Sequence, residues 1–215
     1  MKPFVTHQSG DMKSYIGYFS VATGNPVTTV EIHDRLMHMG GLSGVATTAQ
    51  TVNLDLSANL ANSNLAERIG DADYSDVNWW LEWYTATGST ASTATVAVTY
   101  NDGATGPLTA TVLAATRPAS HMISLNTLVP SAASGRFIRA VNSVTLSAST
   151  GTAGSFGVTA TRIRADLSVI AANLKVSANW ADLGLPGIKN SSGLFPVVLT
   201  PTTSSGTVRG GGKIS

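Results

Sequence analysis

The sequence predicts an all-β protein: an antiparallel β-sandwich of jelly-roll or Greek-key type with extended N- and C-terminal arms and at most one or two short helices. Three observations carry this prediction. Between Thr95 and Thr161 short runs alternate Val, Ala, Thr and Ser, Gly-rich turns separate the runs, and charge is almost absent. Alternation with a period of two marks strands with one buried face. Hydroxyls, rather than Lys and Glu, are then expected to cover the other face.

Taken in order, residues 1–46 read as an arm. Ser14-Tyr15-Ile16-Gly17-Tyr18-Phe19-Ser20-Val21 has strand composition and is stopped by Thr23-Gly24-Asn25-Pro26. Val30 to Met39 is apolar without helical periodicity, and Gly40-Gly41-Leu42-Ser43-Gly44 is expected to end that element, because ordering consecutive glycines costs backbone entropy. The sandwich core is assigned to residues 47–165. In it Val52, Leu54 and Leu56 alternate with Thr51, Asn53 and Asp55. Residues 60–69 fit one short helix, with Asn59 or Asn62 as N-cap and Gly70 as the stop.

The heaviest strand follows. In Val77-Asn78-Trp79-Trp80-Leu81-Glu82-Trp83-Tyr84, Trp79, Leu81 and Trp83 share one face and Trp80, Glu82 and Tyr84 the other, which predicts a central strand. A hairpin is expected around Asn101-Asp102-Gly103, where Asp-Gly takes positive φ at little cost, between the Val96/Val98/Tyr100 and Leu108/Ala110/Val112 alternations. Two more strands flank Thr150-Gly151-Thr152-Ala153-Gly154. Residues 166–215 read as a second, extended arm without its own core. Leu167, Ile170, Leu174 and Val176 suit a short helix or a strand equally, while Pro186, Pro196 and Pro201 limit the rest to isolated extended pieces.

Composition narrows the function classes. At 215 residues the chain can hold one well-packed domain with arms. Charged residues are 12%, against about 25% in ordinary globular proteins, while Ser and Thr approach a quarter. A surface so poor in charge favours association, so a subunit of an assembly is expected. A net charge of +1 supplies no basic field for nucleic acid or an anionic membrane. Without cysteine there is no disulfide framework, thiolate nucleophile or Cys-bound zinc. The start Met1-Lys2-Pro3-Phe4 lacks signal-peptide character, and no window approaches the ~20 apolar residues of a membrane span, so synthesis in the cytoplasm is expected.

A search for chemistry yields no catalytic, cofactor or metal assignment. Glu31, His33, Asp34 and His38 are metal-ligand types, but the histidines are five apart and no H-E-x-x-H exists; a polar surface loop is expected there. Asp71, Asp73 and Asp76 lack the EF-hand glycine, since the sixth position is Asp76, and read as an Asp-rich turn. Glu82 lies among tryptophans, as a glycosidase acid can, but no partner carboxylate is identifiable. There is no G-x-S-x-G elbow and no P-loop lysine. Trp79, Trp80, Trp83 and Tyr84 are interface types, and Arg162 with Arg164 shares one strand face that suits an acidic partner surface.

Several stretches carry a resemblance. Asp34-Arg35-Leu36, then Gly40-Gly41-Leu42-Ser43-Gly44 and Thr48-Ala49-Gln50-Thr51-Val52, look like the opening of uncharacterised virion structural proteins of tailed bacteriophages. Asp73-Tyr74-Ser75-Asp76-Val77, Val141-Asn142-Ser143-Val144-Thr145-Leu146-Ser147-Ala148-Ser149 and Gly154-Ser155-Phe156-Gly157-Val158-Thr159-Ala160 extend the similarity, which covers roughly residues 30 to 165. It implies a β-sandwich particle protein with no enzymatic residues to transfer: a capsid decoration or cement protein on the virion surface. Its partners would be the major capsid protein and further copies of itself, a trimer by family analogy. Two alternatives remain at this point. One is a tail or fibre protein that stacks host glycan on Trp79, Trp80, Trp83 and Tyr84; the other is a tail-tube or head–tail connector subunit.

Overall fold

The computed structural model describes residues 14–112, 118–151, 154–184, 186–201 and 206–215. Thirteen strands run in chain order: β1 (Ser14–Thr23), β2 (Thr28–Ser43), β3 (Gln50–Asp55), β4 (Val77–Trp83), β5 (Ser92–Tyr100), β6 (Thr105–Val112), β7 (Met122–Ser124), β8 (Ile138–Leu146), β9 (Ser155–Val169), β10 (Val176–Asn179), β11 (Gly187–Ile188), β12 (Leu194–Leu199) and β13 (Val208–Ile214). They form three antiparallel sheets, so the all-β sandwich expectation holds. The orders are β10-β1-β11 with β13 also on β1, β12-β2-β9-β4-β7, and β3-β8-β5-β6. Two compact units result: Leu36–Thr161, and Met1–Arg35 together with Arg162–Ser215.

In the unit Leu36–Thr161 the core follows the alternation read from sequence. Val52 and Leu54 of β3, Val96 and Val98 of β5, Leu108 and Ala110 of β6, and Val141, Val144 and Leu146 of β8 supply one layer. Trp79, Leu81 and Trp83 of β4, with Phe156, Val158 and Ala160 of β9, supply the other. The Trp79 indole N–H donates to the Ile138 carbonyl at 2.8 Å, so the largest core side chain is buried with its polar atom satisfied. Trp83 and Phe156 stack with centroids 5.3 Å apart. The β5–β6 hairpin closes through Gly103 at φ +85°, where Asp102 Oδ1 accepts from the Ala104 N–H. In place of one helix over 60–69 there are 3₁₀ turns at Ser57–Asn59 and Asn62–Asn64 and a single α-turn, α1 (Leu65–Arg68), before Gly70 at φ +85°. Leu65 and Ile69, four apart, seat this turn in the core, and Leu60 packs against the same cluster.

β2 ends at Ser43, inside the stretch Gly40-Gly41-Leu42-Ser43-Gly44 expected to stop it, but it runs through the glycine pair instead of breaking there. Gly41 takes φ +86° with open space around it, and Gly40 lies against the ring of Tyr84, where a Cβ would come within 3.3 Å of Cε2. Tyr100 covers Gly106 in the same way. An aromatic ring laid over a strand glycine restores the packing that the missing side chain removes.

The Tyr100 hydroxyl is buried in the apolar cluster without a hydrogen-bond partner among the described residues. Burial pushes its pKa above the usual 10, against the pull of nearby Arg136. A raised folded-state pKa contributes stability that is fully present below about pH 10 and lost as pH rises through the folded value. Tyr100→Phe is therefore expected to be neutral or stabilising by about 0.5–1 kcal/mol near neutrality. It is also expected to flatten the loss of stability between about pH 9 and about pH 11, read from urea midpoints.

Residues 1–46 and 166–215 were expected to be arms without a core, and the unit the structure forms from the termini takes in 14–35 and 162–215. Its described residues pack around Ile16, Phe19, Val21, Val30, Ala165, Val169 and Ile188. β1 is the organiser: it pairs with β10 over Tyr18–Val21, with β11 at Ser14 and Tyr15, and with β13 from Ile16 to Thr23. The region left open between helix and strand holds no helix: Leu167 lies in β9, which continues to Val169, Val176 begins β10, and Ile170 and Leu174 are exposed in the turn between them. Local alternation is weak in these short pieces, so only pairing across more than 150 residues of sequence exposes the shared apolar face. The strand prolines obey a simple rule. Pro107 in β6 and Pro196 in β12 lie in the outermost strands of their sheets as described, the positions where a strand tolerates proline.

Candidate functional site

The second face of β4, opposite the core tryptophans, carries the most organised polar chemistry of the unit Leu36–Thr161. β9 lies between β2 and β4 in its sheet, so one side chain from each can line up across three strands. Thr159 Oγ1 donates to Glu82 Oε2 at 2.6 Å, His38 Nδ1 lies 2.9 Å from Thr159 Oγ1, and the Tyr84 hydroxyl lies 3.2 Å from His38 Nε2. The order of donors follows from the end of the chain. A carboxylate only accepts, so Thr159 donates to it and must accept from His38 Nδ1–H. Neutral His38 is then the Nδ1–H tautomer, and its Nε2 accepts from Tyr84. If His38 gains a proton, rotation of the Tyr84 hydroxyl turns that contact round, and Glu82 Oε2 lies 3.8 Å from Nδ1 to balance the charge.

Sterics hold this row in place. The Tyr84 ring meets the His38 ring edge-on at 5.7 Å and covers Gly40 and Gly157. One step along the sheet, the Trp80 indole N–H donates to Thr161 Oγ1 at 2.8 Å. Thr159 and Thr161 are fully buried, while His38 and Glu82 remain partly exposed. In an acyl-transfer triad the imidazole sits between carboxylate and hydroxyl, and the hydroxyl is open to substrate. Here the hydroxyl sits between the other two and is buried, so the arrangement ties strands together rather than activating a nucleophile. Thr159→Val keeps the shape and removes the bridge. It is expected to cost about 1–3 kcal/mol of stability, measured by urea unfolding, and to abolish the Nδ1–H preference in the His38 ¹⁵N spectrum.

The other residues singled out in the sequence fall as follows. Trp79 and Trp83 are buried in the core and Trp80 is 7% exposed, so no indole of β4 offers a platform for a sugar ring. Tyr84 is half-buried in the polar row. Glu31, His33, Asp34 and His38 are not a surface loop but part of β2, and His33 and Asp34 are fully buried. His33 Nε2 contacts Glu31 Oε2 at 2.7 Å. Asp34 accepts from Arg164, from the Ser192 hydroxyl and from the Gly193 N–H, all within 3.1 Å. Arg164, expected on an interface, is therefore folded inward, and Arg162 is half-buried. Asp71, Asp73 and Asp76 do form a turn, with Tyr74 at φ +67°. The Ser75 N–H holds the Asp73 carboxyl below its usual 3.8, so any stability it lends is lost as pH falls through that lowered value. No group of three or more His, Cys, Asp or Glu converges among the described residues.

The polar row was invisible in sequence because its members are 121 and 77 residues from Thr159. The only available signal was the second face of β4, where Glu82 and Tyr84 alternate with the core tryptophans. Fold and site thus define a class, an all-β protein of two compact units whose described polar clusters are embedded in strands. Comparison with family models, with curated proteins and with solved structures found no match.

Proposed function

We propose that this protein is a structural subunit of a tailed-bacteriophage virion, a decoration or cement protein that binds the capsid exterior through the major capsid protein and further copies of itself. One observation carries the assembly part of the proposal. Of the nine large hydrophobic residues exposed among the described residues, eight lie in the unit built from the terminal segments, and only Val45 lies in the other. Apolar surface concentrated in one unit of a weakly charged protein favours lying against a neighbour. The buried threonine in the polar row and the buried indoles favour this reading over catalysis or glycan binding. The virion part rests on the sequence resemblance.

The experiment is co-sedimentation of the full chain with expanded capsids that lack decoration. Saturable pelleting at a fixed ratio to the major capsid protein is the expected result. A chain that stays in the supernatant, or that pellets with tail tubes and not with capsids, overturns the capsid assignment. Deletion of residues 166–215 does not serve as the negative control, because it removes β10 to β13 and, with them, Val169 and Ile188 from the β1 unit's core.

A further inference from the structure

The two units differ in charge. Residues 1–35 and 162–215 contain nine Lys and Arg against five Asp and Glu, whereas residues 36–161 contain four against seven. A net charge of +1 conceals this polarity.

Three of the cations stand on one face of the sheet around β1. Side chains alternate along a strand, so the pairing register fixes which of them share a face. Ser20 pairs with Ser177 of β10 on one side and with Gly211 of β13 on the other. Two residues along β1 in one direction Tyr18 pairs with Lys213, and two in the other Ala22 pairs with Arg209. Lys175, just before β10, continues the register opposite Ala22. The intervening Phe19 and Val21 point into the core, so this face looks to solvent, and Lys175, Arg209 and Lys213 are all exposed. No position on it is acidic. Asp182, in the turn after β10, accepts from the Asn179 N–H at 3.1 Å.

Tyr18 makes a platform among the three cations. Its hydroxyl reaches Ser20, Ser177 and Lys175, and the two hydrogen bonds, then the ammonium, hold its pKa below the usual 10. A ring tied in this way by its far end lies along the sheet instead of standing up from it. Ser20 is therefore only 6% exposed on a solvent-facing surface, whereas Tyr18 is 37% exposed. On the β13 side the surface stays open, because a Cβ at Gly211 would meet no atom within 4 Å.

Spacing selects the ligand. Arg209 and Lys213 are four residues apart, about 13 Å along β13, and Lys175 is two strands from β13, about 10 Å. Duplex DNA carries one charge per about 1.7 Å of axis, far denser than these three cations. Sparse charge around one flat ring and a few hydroxyls matches a chain of sugars in which some carry a carboxylate. The C–H face of a sugar lies on an aromatic ring, and carboxylates form charge-assisted hydrogen bonds with ammonium and guanidinium groups. We infer that this face of β1, β10 and β13 binds an acidic polysaccharide, with Tyr18 under a sugar ring and Lys175, Arg209 and Lys213 on its carboxylates. The site makes no use of the buried β4 indoles, and it stands apart from the capsid proposal.

Isothermal titration of the full chain with polygalacturonate tests it, with dextran as the neutral polymer and duplex DNA as the dense polyanion. Saturable binding of polygalacturonate is expected at ~0.05 M salt with a Kd per site below about 1 mM. It should weaken at least about tenfold by ~0.5 M salt, and dextran should give no binding. Tyr18→Ala is expected to weaken it by about fivefold to tenfold. Lys175→Glu with Arg209→Glu should abolish it with the circular dichroism unchanged, since both side chains are exposed and outside the core. A chain that does not bind polygalacturonate overturns the inference, as does one that binds dextran equally well. Duplex DNA bound as tightly as polygalacturonate, or binding that survives the double charge reversal, overturns it too. Failure to bind capsids, by contrast, removes the virion proposal and leaves this site standing.

Discussion

Gly157→Ala is expected to unfold the Leu36–Thr161 unit or to destabilise it by roughly 3 kcal/mol or more, the upper end of overpacking costs. A Cβ at Gly157 would overlap the Met39 carbonyl oxygen and the Tyr84 hydroxyl and lie 2.9 Å from the Gly40 Cα. Two of these obstacles are backbone atoms of the adjacent strand, which cannot move aside as the end of a flexible side chain can. The third belongs to the polar row, so the same methyl group would push Tyr84 off His38. The comparison set makes the cause legible. Gly211→Ala meets no atom within 4 Å and is expected to change stability by no more than about 0.5 kcal/mol. Gly41→Ala also meets open space but must hold φ +86°, so it should cost about 1 kcal/mol from backbone strain alone. Three of the four tryptophans lie in this unit, so urea unfolding followed by fluorescence in a Trp180→Phe background reads it selectively.

Asp34→Ala is expected to cost about 3–5 kcal/mol in the other unit, because it breaks a buried ion pair from one side. Asp34 is fully buried, and Arg164, 9% exposed, lies 3.1 Å from its carboxylate. The same carboxylate accepts from Ser192 and from the Gly193 N–H, while the Arg35 N–H donates to the Gly193 carbonyl. Removing it therefore loosens the turn that leads into β12 and leaves the Arg164 guanidinium facing a methyl group. Asp34→Ala with Arg164→Met should recover much of the loss, since replacing both partners of a buried pair removes both desolvation costs together. Trp180 is the only tryptophan of this unit and reports its transition. Equal losses in the single and double variants would mean that the hydrogen bonds to Ser192 and Gly193, not the charge, carry the effect.

Much of the fold was legible before any coordinates, and the β5–β6 hairpin shows why. Its alternation, its Asp-Gly turn and its return strand are all local, so period and turn chemistry suffice. The β4 strand was legible for the same reason: eight residues sort themselves into two faces. The β1 unit was not legible. Gly210-Gly211-Gly212 reads as linker composition, yet it forms strand against Val21, Ser20 and Phe19, held by main-chain hydrogen bonds that leave no mark in side-chain pattern. The stop at 40–44 was legible, but not that β2 passes through its glycine pair first. Glycine in a sequence signals freedom, and whether that freedom makes a turn or a seat for a ring depends on what lies above it.

The sequence alone determined the all-β class, the core faces of β4, β5 and β6 and the absence of cysteine chemistry, because each is set by neighbours along the chain. Tertiary structure decided the rest. It gathered the terminal stretches into a unit with its own core, turned Asp34 and Arg164 on each other, and aligned Glu82, Thr159 and His38 across three strands. It also revealed a charge polarity that a net charge of +1 hides. The physical reason is common to all of these. Strand pairing joins residues more than a hundred positions apart, and a buried charge or hydroxyl takes its meaning from the partner that the pairing brings to it.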